Sequence, residues 1–139
     1  MSEQASTPDL TELTQRIFDA VDRGDLDSAL VAFAPDAVWD SQVLGASFEG
    51  HEAIRAFLER WTEVYEAFEV QTQDISDLGG GVVLCVFMNR SRPTEEAGEP
   101  SLRFAMVVVF VDGLVWRVKG SEDIGEARAE AERLAVKRS

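Results

Sequence analysis

A chain of 139 residues, 45% of them apolar, is material for one domain, able to bury roughly two thirds of its unfolded surface without staples. A formal net charge of −13 with scattered basic residues disfavours nucleic acid and anionic membrane surfaces, which repel such a protein. One cysteine, Cys85, leaves no internal disulfide, and neither a leader pattern nor an 18-residue apolar stretch is present, so a cytoplasmic protein is expected.

Met1 to Pro8 is polar and expected to fray, leaving one domain over residues 9–137. A helix is predicted from Thr7-Pro8, Thr7 capping and Pro8 at the first helical position, with Leu10, Leu13, Ile17 and Val21 as its apolar stripe. Gly24 ends it. Asp25 then caps a short helix carrying Leu26, Ala29, Leu30 and Phe33, which Pro35-Asp36 breaks. Ala37 to Asp40 reads as a short strand and 41–50 as a loop. The clearest helix covers about 51–66, with Ile54, Phe57, Leu58, Trp61, Val64 and Tyr65 inward.

The period then changes to two. Strands are predicted at Phe68–Asp77, Val82–Arg92, Leu102–Val111 and Leu114–Ser121, with turns at Gly79-Gly80-Gly81 and Asp112-Gly113. Glu122 to Arg138 is a charged, Ala-rich helix. Segregated helices and meandering strands give an α+β fold, a curved antiparallel sheet whose concave face the helices cover around a pocket.

Three runs carry a family likeness: Asp22-Arg23-Gly24-Asp25-Leu26, Phe33 through Asp40, and Gly50 through Leu58, together with Phe104 through Val115. In these the chain resembles the SnoaL-like domains of the nuclear-transport-factor-2-like superfamily, over about residues 10–130. The resemblance implies a cone-shaped fold and leaves activity open. Its members include ketosteroid isomerases, polyketide cyclases, an epoxide hydrolase, dehydratases and proteins that only bind or dimerise.

By that resemblance Asp40 falls where ketosteroid isomerase has its general base, and a carboxylate against an apolar wall can shuttle a proton. The oxyanion partners are not matched: Ile17 and Met106 stand where a Tyr and an Asp are required. Asn89 shares a strand face with Phe87 and Cys85 and could orient a ligand carbonyl, as could the Trp61 indole. Phe57, Phe104, Met106, Trp116 and Val118 are candidate pocket walls, and Glu122 could offer a carboxylate at the cavity mouth. Cys85 reads as an inert core thiol. His51, the sole histidine, suits a surface or rim position, and no metal set is present. Arg103 alternates with Phe104 and so faces away from the cavity, against an epoxide-hydrolase Asp-Arg-Asp arrangement.

No Gly-rich phosphate loop lies between a strand and a helix, so no cofactor is implied; the triple glycine joins two strands. The outer sheet face, with Val86, Met88, Ala105, Val107 and Val109, is apolar enough to predict a homodimer. The leading expectation is a binder of a small apolar or aromatic molecule. The alternatives are an isomerase, cyclase or lyase acting on a polyketide or steroid-like ring through Asp40, and a non-catalytic interaction domain.

Overall fold

The structure, a computed structural model, describes residues 9–41, 45–91 and 102–138, with backbone alone at 61–71, 89–91 and 102. Helix α1 (Leu10–Asp22) is capped by Asp9, whose carboxylate accepts from the Thr11 amide at 3.0 Å. Thr7 and Pro8, the expected cap and first turn, lie outside the described residues. Gly24, at φ +78°, turns the chain into α2 (Leu26–Val31), and the Asp25 carboxylate accepts from Ser28 at its start.

Strand β1 (Phe33–Ser41) is longer than expected, because Pro35 and Asp36 sit within an irregular stretch of register rather than in a loop. The expected loop 41–50 also holds a strand, β2 (Ala46–Glu49), which pairs antiparallel with β1. Its four-residue alternation is too short to show as a strand. Helix α3 (Gly50–Ala67) leads into β3 (Phe68–Gly79), β4 (Val82–Ser91), β5 (Leu102–Val111), β6 (Leu114–Ser121) and helix α4 (Ile124–Arg138).

The six strands form one mixed sheet in the order β2-β1-β6-β5-β4-β3, with β1 parallel to β6 and the other pairs antiparallel. Asp112 and Gly113 both take positive φ, 54° and 82°, the turn that matches the twist of the β5–β6 hairpin.

Two cores lie on opposite faces of this sheet. Helices α1, α2 and α3 close the cone over Trp39, Val83, Cys85, Phe87, Met106, Val108 and Val118. On the other face α4 lays Ala127, Ala131 and Ala135 against Val82, Leu84, Ala105, Val107 and Val109. Two expectations change here. The terminal helix does not join the others over the concave face, and most of the outer apolar face is covered by the chain itself. The alanines sit four apart, so one stripe of small side chains lets the helix lie close to a valine-rich surface. Among the described residues no helix is long and apolar enough to cross a membrane.

Candidate functional site

Inside the cone, strand register arranges the sheet wall in rows. Val83, Val108, Val118 and Trp39 pair across β4, β5, β6 and β1; the next row is Cys85, Met106, Gly120 and Ser41, and beyond it Phe87 faces Phe104. Phe87 stacks on Phe104 at 5.2 Å between ring centres and meets Phe18 of α1 edge-on at 4.9 Å. Phe57 of α3 stacks on Phe48 at 4.7 Å and tilts against Trp39 at 5.1 Å. Between Phe18, Val21, Trp39, Leu58, Phe87, Phe104 and Met106 runs a narrow apolar cleft with about 10 Å³ free, space for about one water.

Phe57, Cys85, Phe87, Met106 and Val118 are therefore buried in the cone core, and Phe104 stands half-buried against it. Burial pushes the Cys85 thiol up to about 12, with the nearby Asp74 charge adding to the effect. A thiol so held is not a nucleophile at neutral pH. Trp61 lies in α3 and Asn89 pairs with Val70 and Leu102, but their side chains fall outside the description.

Asp40 is on the other side of the sheet. Trp39 points into the cone, so by alternation its neighbour points out. There the Ser47 hydroxyl donates to the Asp40 carboxylate, and Lys119 of β6 is its register partner. The groove it lines, about 220 Å³, also holds Trp116, Arg117, Glu130 and Arg138, and Lys119 pairs with Glu130 at 3.0 Å. A shift of one residue along a strand exchanges faces, and at this end of β1 it is Ser41 that shares the face of Trp39.

Trp116 is also on the outer face, with the Arg117 guanidinium 3.9 Å and the Arg138 guanidinium 5.8 Å from its ring centre. The cause is a bulge: Val109 pairs with Arg117 but Phe110 with Val115, which leaves Trp116 as the extra residue. Simple alternation would have set it on the same face as Val118. Glu122 is exposed in the link to α4, where Asp123 is the cap, accepting from Glu126 at 2.9 Å. The His51 ring donates through Nε2 to the Phe33 carbonyl at 2.9 Å, tying the start of α3 to β1. Arg103 is exposed and donates to Gln73 at 3.1 Å. Among the described residues no three His, Cys, Asp or Glu side chains gather as a metal would require.

The position that residue typing missed is Gly120. It carries no functional group, and only its register beside Met106 and Ser41 marks it as part of the cone wall.

With this fold the comparisons agree. The model of the SnoaL-like domain matches residues 14–118, and the chain belongs to that family. No curated protein matches its sequence. Among solved structures it is similar to TerC co-crystallized with polyporic acid, at 18% identity and TM-score 0.66, covering 87% of this chain and 96% of that one. It is similar to a putative polyketide cyclase from Xanthomonas campestris pv. campestris, at 25% identity and TM-score 0.59, covering 87% and 95%. A de novo designed protein with a curved β-sheet matches at 15% identity and TM-score 0.66, covering 96% and 97%. A designed sheet that superposes as well as TerC does makes the point that this likeness is one of architecture.

Proposed function

We propose that the protein holds a small, flat, apolar or aromatic molecule in the cone, and that Asp40 takes no part in it. The observation that carries this reading is the make-up of the cleft: aromatic and aliphatic side chains from α1, α3 and three strands, with no ionisable group among its described lining. The cleft is narrow as it stands. A ligand larger than a water enters by swinging the half-buried Phe104 aside, which favours thin molecules over bulky ones. At 18% identity TerC supports the architecture, so the ligand class here is argued from the cleft itself.

The test is thermal unfolding with a series of one-, two- and three-ring aromatics, 2-naphthol among them. At about a hundred times Kd a ligand adds about 2.7 kcal/mol, a rise of roughly 5–10 °C for a domain of this size. No rise with any member of the series would remove the proposal. Asp40→Asn should leave the rise unchanged; a loss of binding in that variant would return the carboxylate to the site. A catalyst of isomerase, cyclase or lyase type would need an acid or base in the cone, and Asp40 supplies none from the opposite face. An interaction domain would show no thermal response to any of the ligands.

Self-association belongs to this reading in a reduced form. A dimer through the outer sheet would use the strip over β1, β2 and β6 next to α4, where Asp40, Ser47 and Lys119 stand. Sedimentation giving only a monomer would exclude it.

A further inference from the structure

Gly120 is a glycine without a local reason to be one. Within strands, glycine marks a bulge, a tight bend or the close approach of another group. Among the described residues positive φ falls at Asp112 and seven other glycines and not at Gly120, so the backbone at 120 suits any L-residue. Nor is there a bulge at this position. Ala105–Ser121, Met106–Gly120 and Val107–Lys119 follow in unbroken register on one side, and Asp40–Lys119 and Ser41–Gly120 on the other. No atom among the described residues lies within 4 Å of where a Cβ would stand. Compare Gly81, where a Cβ would come 2.5 Å from the Phe110 carbonyl oxygen. That glycine is required by the fold; Gly120 is not.

This Cβ position, open among the described residues, faces into the cone. Gly120 pairs directly with Met106, which lines the cleft, and alternates with the inward-facing Val118. Among the described residues this leaves a gap at the Cβ position in the sheet wall beside Met106, with Ser41 as the register partner on the other side. We propose that this gap is a notch that seats the ring edge of the cone's ligand, so that residue 120 sets the ring size accepted; the inference rests on the cone-binding reading above. Met106 gives the seat a polarizable sulfur against the ring, and the register brings the Ser41 position next to any polar substituent on its edge.

The experiment compares wild type, Gly120→Ala and Gly120→Val by thermal unfolding and by fluorescence titration with 2-naphthol. Both variants should unfold at or above the wild-type temperature, since the space is open and a β-branched residue suits a strand. Affinity for 2-naphthol should fall by about 10- to 200-fold in Gly120→Val, the range that a misfitted group produces in an apolar pocket, and less in Gly120→Ala. Unchanged affinity with unchanged stability overturns the notch and leaves the cone reading standing. A lowered unfolding temperature in both variants also overturns it, because the space would then be occupied. If wild type itself shows no saturable binding, the cone reading fails and the notch fails with it.

Discussion

Burial of the Cys85 thiol has a chemical consequence that can be measured without any ligand. With its pKa raised from 9.0 to about 12, at pH 8 only about one thiol in ten thousand is thiolate. A disulfide reagent should leave native protein unlabelled and react fully once urea unfolds it; rapid labelling of the native state would contradict the burial. The same shift makes stability fall with alkali. Above the unfolded value of 9.0 the unfolded thiol ionises while the folded one keeps its proton, so stability is lost as pH rises from 9.0 towards about 12. Unfolding free energy followed over that range should fall less steeply in Cys85→Ala than in wild type. Phe87, 3% exposed and touching rings on either side, is the residue whose truncation should cost most: about 3–5 kcal/mol for Phe87→Ala in urea unfolding. The apolar role of these two residues was legible in the sequence, since both fall in a continuous apolar run. The placement of Asp40 was not legible: the resemblance set it at the cone, and only the inward packing of Trp39 beside it shows that it faces the other way.

Among the elements, α4 departs most from its appearance in sequence. Its stripe of Ile124, Ala127, Ala131 and Leu134 is legible, but not that it lies on the outer face of the sheet, where Ala131 is fully buried. Leucine there must lift the helix off the valines, so Ala131→Leu should destabilise by about 1–3 kcal/mol in chemical denaturation. A loss of less than a few tenths would mean that α4 rides loosely. At its start, Asp123→Ala removes the side chain that accepts from Glu126 and should cost about 1 kcal/mol. The bounds of β5 and β6 could be read from sequence because the Asp112-Gly113 turn fixes the hairpin between them. The bulge at Trp116 could not, since nothing in Leu-Val-Trp-Arg-Val distinguishes an extra residue from a paired one. Strand β2 was hidden for a related reason: its residues are mostly exposed, so no apolar alternation announces it.

For the molecule as a whole, the outer sheet face and its helix form a unit that can be taken apart. Removing 124–138 would bare Val82, Leu84, Ala105, Val107 and Val109 together, a continuous apolar surface. The truncated chain should precipitate or sediment as species larger than any the full-length protein forms; a soluble truncation that forms nothing larger than the full-length protein does would show that α4 is dispensable as a cover. The architecture was legible because its signals are periodic and local, as in α3 and the meander from β3 to β6. The candidate site was less so. A cavity is made by side chains that are absent, and Gly120 acquires its meaning only from partners far along the chain. The double-sided cover also predicts how the sheet would look in a saturation mutagenesis map. On β4 all six positions from Val82 to Phe87 are at most 4% exposed, so lysine should be rejected at every one and the strand's period of two erased. On β6, where only Val115, Val118 and Ser121 are buried, lysine should be refused at intervals of three, with the Trp116 bulge standing as a phase slip in the pattern.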